Sequence, residues 1–228
     1  LKINGLLTIP KGEAPDGGWP AVVFVHGYIP PTTYKTTEKY IEYVDYLARN
    51  DLVVFKIDLR GHGESEGEAG GAYYSSDYII DTLNAYRAMQ KSPEVNKDKV
   101  YLWGHSMAGN VLFRSVVVEK EIPKVVIWAG AVYSYSDFVK YGLSDNSYRP
   151  AGMSAARQNR RQKIFDTYGQ FSESIDFWKK VSGVNYLDGV KTSFQVYHAV
   201  DDSVVNVGYS RDLKSILDEK KIPISYYE

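Results

Sequence analysis

The feature that most constrains this chain is an alternation of short, apolar, β-branched runs with stretches of helical spacing. The runs are Ala21 to His26, Leu52 to Asp58, Val100 to His105, Lys124 to Val132 and Ser193 to His198. Runs this short and this continuously apolar read as strands buried on both faces. Between them, Glu38 to Asn50, Asp77 to Lys91, Met107 to Glu121 and Val207 to Lys220 place apolar residues three and four apart, as in Leu213, Ile216 and Leu217. Strands alternating with helices of that length build βαβ units, and hence a mostly parallel central sheet with helices on both faces. Leu6 to Pro10 reads as an antiparallel edge strand, and Ile222 to Glu228 as a last strand on the far edge.

One segment breaks the rhythm. Residues 133–188 contain no buried strand but carry helix-like pieces at Ser154 to Tyr168 and Ser172 to Lys180. A structureless loop of that length does not suit a compact domain, so the expected organisation is an α/β core of residues 1–132 and 189–228 with a helical cap inserted at 133–188. Tyr133, Tyr135, Tyr141, Tyr148 and Tyr168 either seal that cap against the sheet or line an aromatic-accepting pocket, sealing being the simpler reading. Arg157, Arg160, Arg161 and Lys163 read as a solvated helix face, with a substrate-facing charge as the alternative.

Composition removes whole classes of function. The 228 residues carry 27 Lys and Arg against 28 Asp and Glu, so no basic footprint for nucleic acid exists. Absence of cysteine excludes thiolate nucleophiles, CxxC redox sites and Cys-ligated zinc, and leaves the compartment open. No run is long and apolar enough to span a bilayer, and no leader precedes the first strand. No metal and no cofactor is expected. Both ends, at Leu1 and Glu228, read as trimmed.

The chemistry is concentrated in Val100 to Gly109, VYLWGHSMAG, where an apolar strand runs into Gly104-His105-Ser106-Met107-Ala108-Gly109 and a helix starts at once. A serine on such a turn is lifted above the sheet edge, and the turn needs small residues two before and two after it, here Gly104 and Ala108. The helix start behind it offers N–H donors to developing negative charge. An ordinary helix N-cap is the plainer alternative.

Three further motifs stand at strand ends in a fixed order: His26-Gly27-Tyr28, then Asp58-Leu59-Arg60-Gly61-His62-Gly63-Glu64-Ser65, then His198-Ala199-Val200-Asp201-Asp202-Ser203-Val204-Val205. With the elbow they resemble the α/β-hydrolase superfamily, and most closely its bacterial carboxylesterase, cinnamoyl-esterase and prolyl-oligopeptidase-like branches. That resemblance implies Ser106 as nucleophile, the backbone N–H groups of Tyr28 and Met107 as an oxyanion hole, and Asp202, with Asp201 a weaker choice, as the acid of the triad. It implies an acyl-enzyme formed on a small-molecule ester of a short-chain or aromatic acid. A peptidase or aminoacyl hydrolase is the runner-up, and a non-catalytic ligand-binding relative a third reading. Aspartate-dependent dehalogenases and epoxide hydrolases, and the cysteine-dependent dienelactone hydrolases, do not fit a serine elbow in a chain without cysteine. No propeller sequence precedes the domain, so the size filter of an oligopeptidase is not expected. The resemblance points weakly to secretion and leaves the oligomeric state open.

The general base is the difficulty. Family order is serine, acid, histidine, yet the histidines are 26, 62, 105 and 198, all before Asp202. The expectation is that the natural chain continues past Glu228 with the base in the loop after its last strand. His62, or no base at all, are the alternatives.

Overall fold

The computed structural model describes residues 1–144, 147, 149 and 153–228. Seven strands form one sheet: β1 Gly5–Thr8, β2 Trp19–Val25, β3 Val53–Ile57, β4 Val95–His105, β5 Lys124–Trp128, β6 Ser193–Tyr197 and β7 Ile224–Tyr227. Their spatial order is β1-β3-β2-β4-β5-β6-β7. β1 pairs antiparallel with β3, and every other pairing is parallel. This is the mostly parallel sheet that the alternation implies, as the resemblance to α/β-hydrolases leads one to expect.

The helices are α1 Ile41–Arg49, α2 Asp77–Met89, α3 Ala108–Val118, α4 Tyr135–Tyr141, α5 Ala155–Tyr168, α6 Asp176–Val181 and α7 Gly208–Glu219. Because side chains alternate across a strand, β2 sends Ala21, Val23 and Val25 into the larger core beneath α2, α3 and α7. It sends Val22 and Phe24 to the other face, where they meet Val44 of α1, Val54 and Trp103. Farther along that second face a cross-strand aromatic row continues, Trp128 stacking on Tyr197 and Tyr197 on Tyr227 at 4.8 Å each.

Several elements differ from expectation, and three of the differences have a clear local reason. α1 starts at Ile41 rather than near Glu38 because Tyr40 is left-handed, φ 63, which turns its hydroxyl inward. β5 stops at Trp128 rather than Val132. There Ala129 and Val132 take positive φ and the chain folds back on the Ser106 turn, with the Ala131 N–H reaching Ser106 O at 3.3 Å. α4 is unanticipated, although Ser134 Oγ accepts the Asp137 N–H at 3.1 Å, a side-chain cap visible as S-x-x-D.

The segment between β5 and β6 carries α4, α5 and α6. Its own centre is Trp178, 1% exposed, ringed by Tyr74, Tyr135, Phe165, Phe171 and Phe177. The solvated-face reading of α5 is wrong for half of the run. Arg157 is buried and pairs with Asp77, and the Arg161 guanidinium lies 5.3 Å over the Tyr74 ring, while Arg160 and Lys163 face solvent. Arg157 turns inward because Asp77, already bridged to Arg60 at 2.7 Å, has a second oxygen to offer.

Candidate active site

Ser106 joins β4 to α3 with φ 56, a conformation that non-glycine residues adopt only under constraint. The constraint is its backbone bonding. Its N–H donates to Trp128 O at 2.9 Å, and its carbonyl accepts from Gly109 N at 2.8 Å and from Ala131 N. Its Oγ makes no hydrogen bond among the described residues, and the residue keeps 8% exposure. Gly104 leaves room for this turn, since a Cβ there would lie 2.7 Å from Ala108 Cβ. Met107 follows, where N–H groups of the first helical turn have no intrahelical acceptor.

β2 is the neighbour of β4, so His26-Gly27-Tyr28 leaves the sheet beside Ser106. Tyr40 braces the turn. Its hydroxyl accepts the Gly27 N–H at 3.0 Å and lies 2.9 Å from His105 Nδ1. An open cleft of about 410 Å³ borders it, lined by Tyr28, Ile29, Pro30, Thr33, Lys39 and Tyr40.

Asp202 follows β6, on the same sheet edge and two strands from β4. At about 4.8 Å per strand that is roughly 10 Å between strand axes, room for an imidazole between serine and acid. Oδ1 accepts the N–H groups of Val204 and Val205, both at 2.9 Å, and Oδ2 stands 3.7 Å from His198 Nε2. Asp201 is exposed.

No histidine hydrogen-bonds Ser106. His26 is fully buried, its Nδ1–H donating to Gly27 O at 2.7 Å while Nε2 accepts Leu59 N–H; burial, and His62 beside it, hold its pKa well below the ordinary range. His62, the alternative base, is buried with both ring nitrogens facing carbonyls, of Leu59, Arg60 and Ile29, and neither nitrogen reaches Ser106. His198 Nε2–H donates to Val205 O at 2.8 Å, and Nδ1 accepts from Ser210 Oγ at 2.7 Å. His105 is tied to Tyr40.

Asp77, Asp81 and Tyr40 escaped the sequence reading. Arg60 carried the signal of the two aspartates, because an arginine buried three residues after a strand end needs a carboxylate. Asp81 takes it at 2.6 to 3.1 Å through Nε and Nη2. Of the tyrosines of residues 133–188, Tyr133 is buried in the core, Tyr135 donates to Tyr73 O, Tyr141 donates to Asp212, and Tyr168 stacks on Phe177; Tyr148 lies outside the described residues. The rings that line a cavity of about 570 Å³ there are Tyr74, Phe138 and Phe165. Among the described residues no helix is long and apolar enough to cross a membrane.

The family model described as serine aminopeptidase, S33, matches residues 20–151. Monoglyceride lipase of Rattus norvegicus is 35% identical over 111 residues, 48% of this chain and 33% of the lipase. A puromycin-hydrolyzing peptidase of Mycobacterium tuberculosis superposes with TM-score 0.68 at 19% identity, covering 96% of this chain and 31% of that one. Est1E from Butyrivibrio proteoclasticus, solved with ferulic acid bound, superposes with TM-score 0.66 at 16% identity, covering 98% and 84%. The chain thus spans about a third of the lipase and of the peptidase.

Proposed function

The chain belongs to the serine aminopeptidase S33 family of α/β-hydrolases, and from that premise we propose that it is a carboxylic ester hydrolase working through an acyl-enzyme on short-chain or aromatic acyl esters. The observation that carries this reading is Ser106: a non-glycine residue at φ 56, backbone fixed on three sides, with its hydroxyl unpartnered at the sheet edge. Ser106 Oγ attacks the ester carbonyl carbon as its proton passes to the general-base histidine, which later returns it to the leaving alkoxide, and the carbonyl π electrons move onto oxygen. The N–H groups of Tyr28 and Met107 hold that oxyanion, collapse expels the alcohol, and water then releases the acid by the same route.

Asp202 is the triad acid in this proposal. The N–H groups of Val204 and Val205 hold one carboxylate oxygen and leave the other to orient a histidine and stabilise its imidazolium. In this proposal that histidine belongs to the loop that follows the last strand, where family order puts it. Residues 133–188 act as the cap over the acyl site. A lipase among the sequence relatives and ferulic acid in a structural neighbour support the ester and aromatic preferences.

A peptidase is the second reading, favoured by the description of the family itself. The natural full-length protein should hydrolyse p-nitrophenyl acetate and methyl ferulate faster than an aminoacyl anilide, with S106A inactive on all three. Preference for the anilide would move the protein to the peptidase reading. Absence of any burst, on any of them, would leave a non-catalytic binding module.

A further inference from the structure

The cap cavity of about 570 Å³ is lined by Tyr74, Phe138, Phe165, Gln158, Gln162 and Arg161, together with Arg149, Met153 and Gln170. Its size suits a small-molecule ligand. α4 joins it to the acid loop. Phe138 faces the cavity, and at the C-terminal end of the helix Tyr141 packs on Tyr209, Gly142 O accepts from Tyr209 Oη at 2.8 Å, and the Ser144 N–H donates to Val204 O at 3.3 Å. α4 and the residues just after it therefore connect the cavity lining to the loop of Asp202.

The unusual member of the lining is Arg161. Its Nη2 is buried with no hydrogen-bond partner among the described residues. Its guanidinium stands over Tyr74, between this cavity and a smaller one of about 160 Å³ shared with Arg157 and Arg160. The nearby carboxylates are engaged elsewhere: Asp77 bridges Arg60 and Arg157, Asp81 holds Arg60, and Glu68 sits 3.6 Å from both Arg157 and Arg160. The charged groups acting on Arg161, namely Arg157 and Arg149, are cations, and burial with their repulsion lowers its pKa. A partly buried guanidinium with no anion among the described residues is costly, whereas a carboxylate seated on it forms charge-assisted bonds in a fixed fork.

We propose that the cap cavity is a subsite for a carboxylate carried on a planar apolar ring, with Arg161 gripping the carboxylate and Tyr74, Phe138 and Phe165 enclosing the ring. As a statement about substrates this rests on the hydrolase reading, and it narrows that reading to esters whose acyl or alcohol part bears a second, free carboxylate. As a statement about binding it stands alone.

The test is equilibrium binding of 1-naphthoate and of its neutral counterpart 1-naphthamide to full-length S106A protein, followed by calorimetry. The expected result is naphthoate binding about tenfold or more tighter than naphthamide. R161Q should lose that preference, R161K should retain part of it, and R160Q should keep it whole. Equal affinity for both probes, or a preference that survives R161Q, overturns the subsite. If R161Q unfolds, R161K decides: naphthoate affinity unchanged by the loss of the fork overturns the role of Arg161. Binding with preference in a protein whose wild type hydrolyses no ester would sink the hydrolase reading alone; ester turnover without the preference would sink only the subsite.

Discussion

Gly109 and Gly130 meet backbone to backbone: a Cβ on Gly109 would lie 2.6 Å from Gly130 Cα and 3.1 Å from Ala131 N. The close approach that the serine turn requires is thus made one residue beyond Ala108, against the segment where β5 leaves the sheet. Gly109→Ala must push two backbones apart, with a loss of about 2–3 kcal/mol in stability and a larger fall in ester kcat/KM than Gly104→Ala. The Gly104 clash involves the side chains of Ala108 and Leu112, the latter able to shift. Thermal melts and p-nitrophenyl acetate kinetics on both variants check the order.

Tyr40→Phe removes the hydroxyl that takes the Gly27 N–H and pairs with His105. Two partly buried polar groups lose their partner, for about 1–3 kcal/mol. Because the proposed Tyr28 donor acts mainly on the oxyanion, kcat should fall about tenfold with KM little changed. A change confined to KM would contradict the bracing role.

Asp81→Ala strands Arg60 with only Asp77, which it already shares with Arg157. Removing one partner of a pair this buried costs about 3–5 kcal/mol, and the midpoint of denaturant unfolding should fall accordingly. An unchanged midpoint would mean that the Arg60 cluster contributes nothing to the fold.

Much of this was legible in the chain because strand and helix periods differ so clearly. The β2 to α3 and β6 to α7 stretches follow the apolar pattern within a few residues, and Ser106 sits on the strand-to-helix turn that its glycines suggested. What stayed hidden depends on partners distant in sequence. Arg157 and Arg161 look like surface cations until Asp77 and Tyr74, some 80 residues earlier, are brought under α5. Tyr40 has no visible reason to end a helix until Gly27 and His105 are placed beside it. The far end of Lys124 to Val132 is as apolar as its start, and only packing against the serine turn pulls it out of the sheet.

Asp137, in the first turn of α4, has its carboxyl pushed up to about 6 by burial first and by facing Asp212, against the pull of Ser134 and Lys140. A raised carboxyl pKa means that the folded state holds the proton more tightly. Its penalty is therefore absent below the ordinary value of 3.8 and grows as pH rises through about 6. Asp137→Asn should raise stability at pH 7.5 by about 1 kcal/mol, after allowance for solvent screening, and change nothing at pH 3.5. An equal effect at both pH values would contradict the assignment.

The most direct test of the central claim is covalent labelling of the full natural chain with a fluorophosphonate, followed by peptide mapping. One adduct on the peptide containing Ser106, absent from S106A, is the predicted result. A protein that hydrolyses p-nitrophenyl acetate while Ser106 stays unmodified, or that carries the adduct on another residue, would contradict it.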